Sequence, residues 1–546
     1  MAKVTIDGKS IEVDNSCTIL DCARELGVYI PTLCYDPALT PFGACRICMV
    51  EMEPGNRLVA ACHTKVMDNM VIHANNDRVK RARKLNMELV LARHPLDCLI
   101  CERGGECHLQ TVCFNIGLAA GDKKALENRL VDVFQPEPMH IKQDDTRSLI
   151  ERDINKCILC RKCVRTCKEV AGVGAISYSN RGFYADVCTF YGRRLDCEFC
   201  GQCIERCPVG ALFPKKSKYQ SRVWQTGNVE TVCNFCGCGC KLILRCKDNV
   251  LVKVRTDLEK EPNKGRLCVR GHFGFDFVNH PDRIRKPMIK KDGKFDEVSW
   301  EEAFDYTAKK LKQLKKKFGG KALAGIGSVG VTNEDNYLFQ KMFRMALGSN
   351  NLDNYVRYEH APTQAAMLES LGYPGMTNPM ADLHSSDLIV VIGADLTSTT
   401  PVLGMEVKQA AMAGTDLIVI DPRKTKLVRF ASQYLAVRPG SDIALLNAVM
   451  QEIIKNNLTD QEFINSNTEG YQGLANSLKG ASSASIIKET GISLEAVQQT
   501  AGRIGKAQKA AFVFGTGVTQ HAYGTDLVHA VINLALLTGN IGKKGA

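Results

Sequence analysis

The sequence predicts a multidomain protein, α+β in small domains at first and α/β from about residue 291 onward. Three observations carry this expectation. Apolar residues alternate on both sides of Asp7-Gly8 in "KVTIDGKSIEV", a hairpin signal. The chain holds 25 cysteines, most of them in C-x-x-C runs before residue 270, which suit short loop-rich domains. The runs "DLIVVIGA" and "DLIVIDPR" read as fully buried strands with helical patterns between them, which suggests a parallel sheet.

Residues 1–77 continue from the hairpin into "SCTILDCARELG", a short helix ending at Gly27. Residues 78–94 place apolar side chains at 79, 82, 85, 89 and 90 among basic ones, an amphipathic helix stopped by Pro95. The remainder of 78–150 is loop-rich, and "FQPEPMHIKQDD" reads as a linker. Residues 151–222 contain two similar cysteine runs, an internal duplication. A fourth segment covers 228–290. In the last, 291–546, Ser299 and Glu302 form a capping box for the helix "WEEAFDYTAKKLKQLKKKFG".

The first residues, "MAKVTIDGKSIEVD", lack the features of a signal peptide. The longest apolar runs fall short of the ~20 residues a membrane helix needs. A cytoplasmic protein without direct membrane insertion is expected. In that setting clustered cysteines point to metal, since disulfides belong to oxidising compartments.

Four constellations follow. Cys34, Cys45, Cys48 and Cys62 have the spacing C-x10-C-x2-C-x13-C. A loop that wraps an iron cluster brings thiolates together in this way, and zinc is the alternative. Placed after a hairpin and helix, the set resembles the [2Fe–2S] domain opening the large iron–sulfur subunit of respiratory complex I. Iron-only hydrogenases and NAD-linked formate dehydrogenases share that domain, and the resemblance implies a β-grasp ferredoxin fold. His94, Cys98, Cys101 and Cys107, in "HPLDCLICERGGEC", resemble the His/Cys3 [4Fe–4S] site that comes next in those families; a helix C-cap is the other use of such a histidine.

The duplicated runs, Cys157, Cys160, Cys163, Cys167 and Cys197, Cys200, Cys203, Cys207, resemble a bacterial two-cluster ferredoxin. In that fold the fourth cysteine of each run ligates the other cluster. The resemblance therefore implies one cluster on Cys157, Cys160, Cys163 and Cys207, and another on Cys197, Cys200, Cys203 and Cys167. Lys168 departs from the usual proline. Finally, Cys233, Cys236, Cys240 and Cys268 resemble the [4Fe–4S] site at the entrance of molybdopterin-dependent formate dehydrogenases. Cys238 sits at a position that this pattern leaves variable. Cys17, Cys22, Cys113, Cys188 and Cys246 have no spacing partner and read as small buried hydrophobes. The implied cofactors are one [2Fe–2S] and four [4Fe–4S] clusters.

Residues 291–546 resemble a truncated molybdopterin oxidoreductase domain. Asp421 and Arg423 of "VIDPR", Asp442 of "RPGSDIALLNA", and Gly517, Gln520 and His521 of "GTGVTQH" match its pterin-nucleotide contacts. Three departures weigh against a molybdenum or tungsten bis-pterin guanine dinucleotide. Glu359, a hard oxygen donor before His360, replaces the soft cysteine or selenocysteine ligand, so either formate chemistry is lost or Glu359 ligates the metal through oxygen and supports another reaction; Glu359 and His360 are the catalytic candidates. Arg270 replaces the lysine between cluster and pterin. Asp395 adds an anion near the nucleotide. The chain also stops at "NIGKKGA", where the family continues, so a separate polypeptide or a non-catalytic relative is expected.

A row of clusters serves to pass single electrons. The resemblance thus implies an electron-transfer subunit of a soluble NAD(P)H-linked oxidoreductase of the electron-bifurcating kind. Its partners would be a flavin- and NAD(H)-binding subunit, a small thioredoxin-like [2Fe–2S] subunit, and ferredoxin or a further redox subunit. The alternative is a catalytic α-subunit of a formate dehydrogenase, with His360 as proton acceptor and another chain completing the pocket. The formal charge of +12 invites a nucleic-acid reading. Five clusters would offset it by roughly −9, and no nucleic-acid module accompanies it.

Overall fold

The computed structural model describes residues 1–95, 97–118, 149–182, 185–192, 195–480 and 483–546. The linker read in "FQPEPMHIKQDD" lies outside them. The chain divides into two compact units, Met1–Phe235 with Gly239–Asp276, and Cys236–Cys238 with Phe277–Ala546.

The first unit opens with a five-stranded sheet. Its strands are β1 (Ala2–Ile6), β2 (Lys9–Val13), β3 (Met49–Glu53), β4 (Arg57–Ala60) and β5 (Met70–His73), in the order β2-β1-β5-β3-β4. Asp7 and Gly8 both have positive φ, which the tight β1–β2 hairpin requires. β1 runs parallel to β5. Helix α1 (Ile19–Glu25) packs Ile19 and Leu20 into the core with Val4, Ile6 and Ile72. Thr18 and Asp21 cap α1 reciprocally. This is the β-grasp arrangement the resemblance implied.

Helix α2 (Asp77–Ala92) forms where the pattern placed one, but on a different face. Its buried stripe is Val79, Arg83 and Met87, while Leu85 and Leu89 are exposed. Arg83 belongs inside because its Nε donates to the Met49 carbonyl at 3.0 Å. The segment expected to be loop-rich contains helix α3 (His108–Asn115), whose N-cap position is Cys107. The paired short strands Ile150–Arg152 and Leu212–Pro214 enclose the duplicated cysteine runs. A three-stranded antiparallel sheet, Gly227–Val232, Lys241–Lys247 and Val250–Arg255, completes the unit.

The second unit is built on a four-stranded parallel sheet. Across it lie Gln433–Leu435, Asp416–Ile420, Leu388–Ile392 and Ala510–Phe514. Both faces are buried: Leu388, Val390 and Ile392 enter one core, Ile389 and Val391 the other. That is why "DLIVVI" is apolar without alternation. The helix Trp300–Phe318 starts at Ser299, whose hydroxyl accepts from the Glu302 amide. The expected capping box is only half made, because the Glu302 carboxylate lies 3.4 Å from Lys291 Nζ instead of reaching back. Among the described residues no helix is long and apolar enough to cross a membrane.

Candidate functional site

Cys34, Cys48 and Cys62 are almost fully buried, and Cys45 is half-buried. Their sulfurs adjoin: Cys34 meets Cys45 and Cys62, and Cys48 meets Cys62. The backbone N–H groups of Ala44 and Cys45 point at the Cys34 sulfur, and that of Ile47 at Cys45. The turn that aims them needs positive φ at Gly43 and Arg46. Amides directed at sulfur favour the thiolate, the form that binds iron.

The duplicated runs repeat in backbone conformation as well as in spelling. Leu159 and Arg161 have positive φ, as do Phe199 and Gly201, before the short helices Lys162–Arg165 and Gln202–Glu205. The Leu159 amide approaches Cys157 Sγ at 3.4 Å and the Phe199 amide approaches Cys197 Sγ at 3.3 Å. All eight sulfur-bearing residues line one apolar cavity with Ile150, Val173 and Leu212. Within it the neighbours are crossed. Cys157, Cys160 and Cys163 all sense Cys207, while Cys197, Cys200 and Cys203 all sense Cys167. Burial pushes the Cys160 and Cys200 thiols up to about 12, and their sulfur neighbours add to it. Binding of a metal by these sulfurs would therefore release protons, and a cationic metal would supply what stabilises the thiolates. Among the described residues no His, Cys, Asp or Glu group closes on a single metal-ion position.

Among the described residues His94 Nδ1 is buried without a hydrogen-bond partner, which leaves that nitrogen open to a ligand role. Burial holds this imidazole below its ordinary range, so it is neutral and able to ligate. Cys101 and Cys107 are buried, while Cys98 is exposed. A Cβ added to Gly210 would lie 2.6 Å from Cys101 Sγ, so this glycine leaves the sulfur its room. For the last set, the Cys233 amide donates to the Cys240 carbonyl at 2.8 Å, and Cys268 starts the helix Val269–Phe273. A Cβ on Gly271, in that helix, would lie 3.8 Å from Cys233 Sγ.

Buried and half-buried side chains tie neighbouring sites together, and the sequence reading missed them. Arg165 donates to the carbonyls of Cys34 and Thr40, each at 2.5 Å. Buried Asp36 lies 3.5 Å from Lys162 and 3.9 Å from Arg206. Arg103 donates to the Cys207 carbonyl at 2.7 Å, and Arg222 to the Cys101 carbonyl at 2.5 Å. Gln202 donates to the Leu267 carbonyl at 3.0 Å, next to Cys268. The one sequence signal was position: Arg165 sits inside the run, between Cys163 and Cys167.

In the second unit, chain order reverses between the strands Leu388–Ile392 and Ala510–Phe514, a switch point where α/β folds bind ligands. The loops at these strand ends carry most of the predicted nucleotide residues. The Gly517 amide donates to the Gly393 carbonyl at 3.0 Å, and His521 Nε2 to the Gly517 carbonyl at 2.9 Å. Gln520 closes the short helix Thr516–Thr519. Buried Asp421 accepts from the Arg423 amide at 2.7 Å, and the Arg423 side chain is exposed. Asp442 is buried at the start of the helix Asp442–Lys455, within electrostatic reach of His521 and Asp421. Asp395 accepts from the Thr397 and Ser398 hydroxyls at 2.8 and 2.9 Å, so its charge has local partners. Glu359 is half-buried on a turn, and His360 is exposed at the N-cap of the helix Ala361–Leu371.

Five family descriptions match consecutive stretches of the chain. They are the 2Fe-2S iron-sulfur cluster binding domain (residues 1–77), the NADH-ubiquinone oxidoreductase-G iron-sulfur binding region (83–120), and the NADH-quinone oxidoreductase subunit 3 ferredoxin-like domain (147–213). The molybdopterin oxidoreductase Fe4S4 domain (227–280) and molybdopterin oxidoreductase (283–546) follow. In chain order these are the iron–sulfur domains of NADH-quinone oxidoreductase subunits followed by the molybdopterin oxidoreductase domains.

Among relatives, it is 37% identical over 543 residues to the NADPH-Fe(3+) oxidoreductase subunit alpha of Geobacter sulfurreducens, covering 99% of this chain and 62% of that one. It is 36% identical over 455 residues to an NADH-quinone oxidoreductase subunit of Rhizobium meliloti, covering 83% and 52%. The chain thus spans no more than about three-fifths of these relatives' length. Acetylene hydratase from Pelobacter acetylenicus shares the fold, at a TM-score of 0.52 and 21% identity over 58% of this chain and 44% of that one. The chain carries 2Fe–2S and 4Fe–4S cluster domains and a molybdopterin oxidoreductase domain.

Proposed function

We propose that the chain is the electron-transfer subunit of an NAD(P)H-linked oxidoreductase complex. Its clusters are one [2Fe–2S] on Cys34, Cys45, Cys48 and Cys62, and four [4Fe–4S] on the other constellations. The crossed neighbourhood of Cys207 and Cys167 carries this reading, because interleaved ligands hold two clusters side by side in one cavity. When bound, each cluster accepts and gives up one electron. The protein's own contribution is to hold the sites in fixed succession. Arg165 joins the first site to the paired sites, Arg103 joins the His94 site to Cys207, and Gln202 joins the pair to the Cys268 loop. Buried side chains that fix both ends keep the spacing between donors constant.

The partners that fit are a flavin- and NAD(H)-binding subunit, a thioredoxin-like [2Fe–2S] subunit, and a further carrier such as ferredoxin, in the cytoplasm. Electron bifurcation is the finer form of the proposal. In the C-terminal domain, Asp421, Asp442 and His521 at the switch point fit a nucleotide. Glu359 and the exposed His360 do not fit the metal end of a bis-pterin cofactor, and they give formate oxidation no support. The test is to mix the assembled complex anaerobically with NADH or NADPH and follow cluster reduction by paramagnetic resonance. Reduction of both cluster types within turnover time is expected. Clusters that stay oxidised, or that respond to formate alone, would overturn the proposal.

A further inference from the structure

The duplication within residues 151–222 is complete in its sulfurs and broken at positions between and just after them. Arg161, Arg165, Lys168 and Glu169 of the first run correspond to Gly201, Glu205, Pro208 and Val209 of the second. Arg161 and Gly201 both have positive φ, 58° and 73°, where equivalent short helices start. Glycine takes that conformation freely; an arginine there is held by what it touches.

What it touches belongs to the first sulfur site. The Arg161 guanidinium lies over the Phe42 ring at 5.0 Å, and that of Arg165 at 5.7 Å. Arg165 also donates to the Thr40 carbonyl at 2.5 Å, and the Thr40 amide donates to the Glu169 carboxylate at 2.7 Å. Arg161, Arg165 and Glu169 follow at four-residue steps, one stripe along a helix. Glu169 joins the stripe because Lys168, unlike proline, lets the helix run on. It does so in a wider turn, Thr166–Val170, closed by the Ala171 amide on the Thr166 carbonyl at 3.0 Å. In the second run the helix ends at Glu205, ahead of Pro208.

The equivalent stripe of the second run meets the segment that carries Cys268. The His272 ring lies so close to Gly201 that an added Cβ would stand 2.3 Å from its Nδ1. Glu205 accepts from Arg255 Nε at 2.8 Å, and its other oxygen lies 3.7 Å from His272 Nε2. Glu205 and His272 are both buried. The two stripes are not interchangeable. A side chain at 201 would take the place of the imidazole, and an arginine at 205 would face Arg255, like charge against like.

We infer that the duplicated positions form two docks of opposite selectivity. Arg161, Arg165 and Glu169 seat the loop of the Cys34 site, while Gly201 and Glu205 seat His272 and the helix that begins at Cys268. These are positioning residues: they fix the first and the last sulfur site on equivalent faces of the paired one, each on its own side. The docks stand on the contacts themselves; what passes through them rests on the electron-relay reading.

The test applies amide hydrogen exchange to the iron-loaded complex in two sets of variants. Arg161→Gly with Glu169→Ala should speed exchange in 36–43 about tenfold or more and leave 268–273 as it was. Glu169→Gln, which keeps an acceptor for the Thr40 amide, should restore most of the protection. Gly201→Ala should do the reverse, speeding 268–273 and sparing 36–43. If Gly201→Ala loses iron, His272→Ala, which adds no bulk, carries the same expectation. The samples are then mixed with NADH or NADPH and followed by paramagnetic resonance. In the first set the [2Fe–2S] and [4Fe–4S] signals should draw apart in time by about tenfold, and in the parent they should rise in step. The inference is overturned if either set changes exchange at both ends alike or at neither, or if the signals of the first set stay in step. A parent complex that NADH and NADPH leave oxidised would instead defeat the relay reading, and the exchange comparison would still decide the docks.

Discussion

Arg165 Nη2 donates to the carbonyl oxygen of Cys34 at 2.5 Å across 131 residues of sequence. Its Nη1 holds Thr40 at the same distance, and the residue is buried. One guanidinium thus fastens the loop of the first sulfur site to the helix between Cys163 and Cys167. Removing it leaves two carbonyls short of a charged donor, each worth about 1–3 kcal/mol. Arg165→Met is therefore expected to lower the local opening free energy of 32–40 by about 2–4 kcal/mol, read by hydrogen exchange. It should also shift the midpoint potential of the [2Fe–2S] signal, with Arg165→Lys restoring part of the shift. An unchanged exchange rate would show the bond to be idle.

The crossed sulfur neighbours make a prediction about pairs. Cys157→Ala and Cys207→Ala should each cost one cluster, and the double variant should cost no more than either alone, about four iron atoms. Cys157→Ala with Cys167→Ala should cost two clusters, about eight atoms. Iron and acid-labile sulfide on the purified variants decide it. The reverse pattern of additivity would mean that each run keeps its own cluster.

Gly210 lies where any side chain would press on Cys101 Sγ. Gly210→Ala is expected to lose the His94-linked cluster, about four iron atoms per chain, while the [2Fe–2S] spectrum stays intact. Full iron content in this variant would place that cluster elsewhere.

Asp442 supplies a prediction about pH. Burial raises its carboxyl above the ordinary value; its own amide and that of Gly440 oppose this, as does His521, while the Asp421 charge adds to it. A carboxyl raised in the folded state contributes stability below its unfolded pKa of 3.8, and that contribution is lost as pH rises through the folded value. Asp442→Asn should therefore stabilise the chain at pH 7, and the difference should vanish as pH falls toward 3.8. Urea midpoints across that range measure it. A variant less stable at pH 7 would mean that the carboxylate has a partner it depends on.

The grouping of the sulfurs was legible in the sequence because their spacing is local: cysteines a few residues apart on one loop come to lie side by side. The buried strand runs were legible for a similar reason, since a strand covered on both faces has no polar alternation to hide it. The ties between sites were not. Arg103 reaches Cys207 across 104 residues, and nothing in the chain near 103 announces that contact. Helix Asp77–Ala92 shows how periodicity misleads: its most regular leucines face outward because Arg83 holds the Met49 carbonyl on the inward side. Helix His108–Asn115 escaped notice because it is short and has a cysteine at its N-cap, where serine or aspartate signals a start. At the switch point the matched motifs marked the strand ends, but the Gly393–Gly517 contact that joins two of them emerged only from the folded sheet.

The most direct test of the relay is elemental analysis of the purified chain, with iron, acid-labile sulfide, zinc, molybdenum and tungsten determined together. The account predicts about 18 iron atoms per chain, matching sulfide, and neither molybdenum nor tungsten. Zinc at the cysteine sites, or stoichiometric molybdenum or tungsten with formate-dependent turnover, would contradict it.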